Sequence, residues 1–178
     1  AAIRPGDRII INGDLGRHGM AFMAARQALG VTGKIESDSA PLAEMVLDLI
    51  NNNIEVHCLR DLTRGGLASA LNELASTCGF SFQIEESLVP VTPAVQAFCE
   101  VLGLDVFHVA NEGRLAAFVK PSDADRAAAI MSRHEVGHDA MIIGEVLSER
   151  DGLVIVRSSI GGERILPMLS GEQLPRIC

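Results

Sequence analysis

Three short stretches of the chain combine residues able to do chemistry with glycines that let another group come close. They are NGDLGRHG (Asn12 to Gly19), DLTRGG (Asp61 to Gly66) and ANEGR (Ala110 to Arg114). A fourth candidate is the thiol of the last residue, Cys178, in QLPRIC. In DLTRGG, Arg64 offers a planar cation suited to gripping a phosphate or carboxylate. Gly65 and Gly66 stand where the chain enters a helix, and Asp61 either caps the turn or fixes Arg64. Capping chemistry with a surface arginine accounts for the same letters equally well.

In ANEGR, Asn111 and Glu112 lie between apolar segments just before a strand. A glutamate in a partly buried loop can have a raised pKa and serve as a general base. Asn-x-Gly also favours a simple turn, and pattern alone leaves that the safer reading. The glycines of NGDLGRHG allow a ligand near the backbone, and the N–H groups of a helix start favour an anion. It is not a P-loop, because no G-x-x-x-x-G-K-[ST] occurs, and a tight turn without ligand is the simpler reading. Cys178 is not four residues from the end, so the spacing for a prenyl anchor fails. A thiolate on a long tether can visit more than one site. Arg176 lowers its pKa and its own α-carboxylate raises it, and carrier and remnant readings are evenly matched.

Other reactive side chains read as structural. His57 falls in a strand and His108 near an apolar bend. His134 and His138 are four apart, but Gly137 between them spoils a metal-binding helix face. No metal ligand set is expected. Met20, Met23 and Met45 have core spacing. Cys58, Cys78 and Cys99 are widely separated, with no C-x-x-C pair, and read as small core hydrophobes.

These stretches need a scaffold. At 178 residues, 48% of them hydrophobic, the chain fits one domain with a full core. A net charge of −8 and the absence of Trp and Tyr disfavour a nucleic-acid surface. No apolar run approaches a membrane span, and the opening residues lack a signal-peptide pattern, so a cytoplasmic location is expected. Strands are expected at RIIIN, IEVHCLR, FSFQIE, RLAAFV, AMIIGEV and GLVIVRS. Helices are expected from Gly19 to about Leu29, from a Ser39 cap and Pro41 to about Asn51, and after DLTRGG on Leu67, Leu71, Leu74 and Cys78. Two more follow, one from Thr92–Pro93 and one capped by Ser122 or Asp123. The expected class is α/β (α+β): a mixed β-sheet covered by helices over residues 1–165, with an extended flexible tail over 166–178.

Taken in order, GDLGRHG, DLTRGGLASALNELA, ANEGR and the terminal PRIC resemble the HypE family of hydrogenase maturation factors across nearly the whole chain. PRIC is the specific element. DLTRGG alone also suits the wider superfamily of aminoimidazole ribonucleotide synthetase and selenophosphate synthetase. A synthetase of that type, or a partner-docking module without turnover, therefore stands as an alternative.

The resemblance implies a PurM C-terminal-domain-like fold. It also implies a missing N-terminal domain that holds most ATP and Mg2+ contacts and the homodimer interface, so the fragment alone is expected to be inactive. For such a family Cys178 accepts a carbamoyl group from the carbamoyltransferase HypF, and ATP drives dehydration of the S-carboxamide to a thiocyanate. The cyanide then passes to iron held by HypC and HypD. Glu112 matches the position for proton removal, while Asp61, Arg64, Gly65, Gly66 and Asn111 match loops facing the nucleotide phosphates or the tail. One departure stands out. Arg17 in Gly16-Arg17-His18-Gly19 occupies a place where the family usually has Asp, and this reversed charge detaches the turn, with His18, from any carried-over role.

Overall fold

Continuous apolar runs give the central strands two buried faces. A computed structural model describes residues 2–27 and 35–168. Its strands are β1 (Arg8–Ile11), β2 (Val56–Asp61), β3 (Phe82–Glu85), β4 (Leu115–Val119), β5 (Met141–Val146), β6 (Val154–Arg157) and β7 (Glu163–Ile165). The helices are α1 (Arg17–Gln27), α2 (Ala43–Asn51), α3 (Gly66–Cys78), α4 (Pro93–Leu102) and α5 (Ala124–Met131). The strands form one mixed sheet in the order β2-β4-β1-β5-β3-β6-β7. Every pairing is antiparallel except β3 with β6.

Successive side chains on a strand point to opposite faces, and both faces here are covered. Ile9 and Ile11 of β1 join Ala116 and Phe118 of β4 in a core under Leu67, Ala68 and Leu71 of α3. Ile10, Leu115, Ala117 and Val119 face the other way, against Met45 and Leu49 of α2 and Ala127, Ile130 and Met131 of α5. All five β4 residues are buried, which explains the unbroken apolar run LAAFV. The Phe82 and Phe118 rings meet at 5.1 Å, a tilted contact worth roughly 1 kcal/mol beyond the area it buries. A third cluster pins α1 to α4 through Met20, Met23, Val95, Phe98 and Cys99.

The α4 start is as the sequence implies: the Thr92 hydroxyl accepts from the Val95 N–H and Pro93 is the first helical residue. Two other caps differ. Helix α2 begins at Ala43 after Leu42, with no side-chain cap, and the Ser39 N–H instead donates to the Ser37 hydroxyl. Asp123 precedes α5 without capping it, because its carboxylate accepts from the Glu55 N–H across the sheet end. Only for Asp123 does a long-range partner replace the local one; Ser39 lies three residues ahead of Leu42, the residue that precedes the helix.

The sheet also runs further than the apolar pattern suggests. Glu163–Ile165 pairs with β6 although all three residues are exposed. Leu166, expected to begin the tail, is fully buried and accepts from the Asn72 side chain. His108 then holds the Pro167 carbonyl at 3.0 Å. Residues 169–178, with Cys178, lie outside the described residues, as do residues 28–34.

Candidate functional site

Strand order decides why three distant motifs meet. β4 lies between β2 and β1 and runs antiparallel to both, so its first residues sit beside their last ones. Ile11 faces Ala116, and Asp61 faces Leu115. The segment after β1 (NGDLG), the segment after β2 (LTRGG) and the segment before β4 (NEGR) therefore share one end of the sheet. The short turn Glu135–Gly137 and the SDSA segment at 37–40 close on the same place.

Asparagines join these loops. The buried Asn111 accepts from the Gly16 N–H at 2.7 Å and donates to the carbonyls of Leu62 and Val109 at 3.1 and 3.0 Å. Asn111 thus ties three loops together in the described structure. Asn12 does the same, donating to the Gly113 and Val136 carbonyls and accepting from the Leu115 N–H. Each amide here satisfies backbone groups that no strand ladder can reach.

Beneath the ties lies a buried ion pair. Arg114 donates to Asp14 Oδ1 at 2.6 Å and to the Asp14 carbonyl at 2.8 Å. Arg17 holds the other carboxylate oxygen, Oδ2, at 2.6 Å. The arginine that departs from the usual family turn thus has a local role, sharing Asp14 with Arg114. The glycines of that turn also serve packing. A Cβ on Gly13 would lie 2.9 Å from the Arg114 guanidinium, one on Gly16 2.8 Å from Val95, and one on Gly19 2.5 Å from Val109.

The DLTRGG loop enters α3 through two consecutive left-handed residues, Gly65 at φ +70 and Gly66 at φ +61. Only glycine adopts this without strain, and a Cβ on Gly66 would also strike the carbonyls of Val109 and Phe107. No side chain caps the α3 N-terminus. Asp61 and Arg64 are exposed, and the Asp61 carboxylate accepts from the Thr63 hydroxyl at 2.7 Å. Glu112 is half-buried.

Asp38 is the residue that pattern reading overlooked. It is only 4% exposed, and its Oδ1 accepts from the Glu112 N–H at 2.8 Å. Its Oδ2 is buried with no hydrogen-bond partner among the described residues. The neighbouring Ser37 hydroxyl contacts His18 Nδ1 at 2.9 Å, and His18 Nε2 is likewise buried without a partner among the described residues. Gly113 must be glycine, since a Cβ there would collide with the Asp38 carbonyl. A cavity of about 770 Å³ opens beside this wall, lined by Arg17, Ser37, Asp38, Arg114, His134 and Glu135 among others. SDSAP reads locally as a helix start, and nothing in its local pattern marks Asp38 as the partner of a loop 74 residues away.

The remaining candidates are structural. His57 and His134 are held by carboxylates, and Cys99 is buried, which pushes its thiol up to about 11. Among the described residues no group of three or more His, Cys, Asp or Glu is placed to hold a metal ion. No helix among them is long and apolar enough to cross a membrane.

The chain is similar to known proteins in sequence and in fold. The chain is 49% identical over 176 residues to the carbamoyl dehydratase HypE of Rhodobacter capsulatus, covering 99% of this chain and 52% of that protein. It is 46% identical over 178 residues to that of Cupriavidus necator, covering 51% of it. It thus spans about half the length of the curated relatives it matches. Among solved structures, a HypE–HypF complex superposes with a TM-score of 0.88 at 40% identity, over 93% of this chain and 54% of that one. HypE in complex with ATP gives 0.93 at 39%, over 99% and 54%. T. maritima PurL gives 0.66 at 23% over 94% of this chain and 28% of that one, a likeness of fold alone. A family model described as AIR synthase related protein, C-terminal domain, matches residues 4–157, and the chain belongs to that family.

Proposed function

We propose that this chain is the C-terminal domain of a carbamoyl dehydratase acting in [NiFe]-hydrogenase maturation. The observation that carries the reading is the convergence of the DLTRGG loop, the Glu112 turn and the Asp14–Arg114 pair at one end of the sheet. The same motifs prompted the resemblance to HypE. In this reading Cys178 accepts a carbamoyl group from a HypF-type carbamoyltransferase. ATP then activates the amide oxygen, and dehydration leaves a thiocyanate whose cyanide passes to iron on a HypC–HypD-type scaffold.

The residues present suit a phosphate-bearing co-substrate. Gly65 and Gly66 bring backbone close at the uncapped start of α3, whose N–H groups and dipole favour an anion, and the exposed Arg64 adds a cation beside it. Arg64 and Asp61 would face the phosphates, and Glu112 would take a proton from the amide nitrogen. Mg2+, most ATP contacts and the homodimer interface are assigned to the half of the relatives that this chain does not span, and the setting to the cytoplasm.

Intact mass spectrometry of the full-length protein, incubated with HypF, a carbamoyl donor and ATP, tests this. A carbamoyl gain that then loses one water is expected in the wild type and absent in Cys178→Ala. An unchanged adduct in the mutant would overturn the assignment. The isolated 178-residue chain is expected to hydrolyse no ATP, and turnover by it would contradict the division of labour between the halves.

A further inference from the structure

We infer that Asp38 is a second carboxylate of the dehydration site, taking one of the two protons that the carboxamide nitrogen must lose. The inference rests on the function proposed above. A buried carboxylate oxygen without a donor is costly, and native folds seldom leave one unless a ligand completes it. Asp38 Oδ2 is such an atom. The cavity that Asp38 lines contains two guanidinium groups, yet both are engaged with Asp14 instead.

The missing partner is therefore a donor from outside the described chain. Among the described residues no cluster of three ligating side chains surrounds the site, so an all-protein metal cage does not complete it. An N–H group is a good candidate. The other oxygen of the same carboxylate is fixed by the Glu112 N–H, so Asp38 stands one hydrogen bond from the residue assigned to proton removal. Gly113 lets the two segments close to this distance.

The chemistry requires two acceptors. In the first step the amide oxygen attacks the γ-phosphorus of ATP. The bond to the ADP oxygen breaks, and one N–H proton leaves, giving an S-bound imidoyl phosphate with a C=N–H group. In the second step the remaining N–H proton leaves and its electron pair forms C≡N, while the C–O bond breaks and phosphate departs. One of the two protons ends on phosphate and the other in solvent. Asp38 Oδ2 accepts the N–H hydrogen bond and takes the first proton, and Glu112 takes the second. No oxidant or reductant is involved.

The test uses the full-length protein with HypF, a carbamoyl donor and ATP, with intact mass read over time in a single turnover. Asp38→Asn keeps an oxygen for the Glu112 N–H but removes the base. Cys178 is expected to be carbamoylated, and the later loss of water to slow about 100-fold, the scale of one general base. The acid limb of the wild-type rate profile is expected to lose one ionisation in the variant, which a merely structural role would not change. Water loss at the wild-type rate in Asp38→Asn overturns the inference. Should that variant fail to fold, Asp38→Ser, with an acceptor but no charge, gives the same reading. If the wild type itself never acquires the adduct on Cys178, the proposed function falls first. An adduct with unaltered dehydration in the variant removes only Asp38.

Discussion

The two ends of the β2–β4–β1 segment of the sheet are built from polar residues in opposite ways. At one end lie Arg4, Asp7, Glu55, His57 and Lys120. His57 Nδ1 meets Asp7 at 2.8 Å and Nε2 meets Glu55 at 3.1 Å, and Glu55 also pairs with Lys120 and Arg4. Among the described residues, no buried side-chain nitrogen or oxygen there lacks a partner. At the other end, the Asn12, Asn111 and Asp14–Arg114 ties are equally saturated, yet Asp38 Oδ2 and His18 Nε2 beside them are not. A saturated polar cluster locks a fold. An unsaturated one next to it marks where a partner from outside completes the bonding.

The comparison can be broken most severely at Arg114. Arg114→Ala removes one side of a buried pair and leaves Asp14 with Arg17 alone, so stability is expected to fall by about 3–5 kcal/mol in urea denaturation. A loss below ~1 kcal/mol would show that Arg17 suffices. Asn111→Ala strands the Gly16 N–H and two carbonyls, and a smaller loss of about 2–3 kcal/mol is expected by the same measurement.

The smallest effect belongs to the opposite end and depends on pH. Burial of the His57 ring acts to lower its pKa, but the hydrogen bonds it donates to Asp7 and Glu55 and the charge of Asp7 outweigh it, and the net shift is upward. The folded protein therefore holds this proton more tightly than the unfolded chain. The stabilisation is complete below the ordinary histidine value of 6.5 and is lost as pH rises through the higher folded value. His57→Gln is expected to flatten that part of a plot of Tm against pH. A slope identical to the wild type would mean that another group carries it.

Much of this arrangement was legible in the residues, for reasons that differ by element. LAAFV and RIII announce buried strands because the apolar run is the physical cause of burial. Thr92-Pro93 announces a helix start because hydroxyl and ring act within one turn. The DLTRGG and ANEGR loops were legible as candidates, since Gly65 and Gly66 do take conformations that other residues avoid. Asp38 and Arg114 were not. Their roles depend on partners 74 and 100 residues away, and no local period encodes such a pairing. β7 escaped because its residues are exposed, and an edge strand held by backbone bonds alone leaves no apolar signature. The Ser39 cap failed for a different reason: α2 begins only at Ala43, three residues beyond the reach of a cap at Ser39.

The pairing pattern has a consequence in time. Among the described residues, β1, β2 and β3, all within the first 85 positions, do not pair with one another; their partners are β4, β5 and β6. During synthesis, these first 85 positions carry two of the three site-forming turns but have no ladder on which to hang them. Loop closure over long separations must come before any strand reward, which makes folding slow and nearly all-or-none. A chain halted before Leu115 would hold the strands RIII and VHCLRD open to any passing edge. The same insertion of a late strand between two early ones that assembles the site also ensures that no half-made chain possesses it.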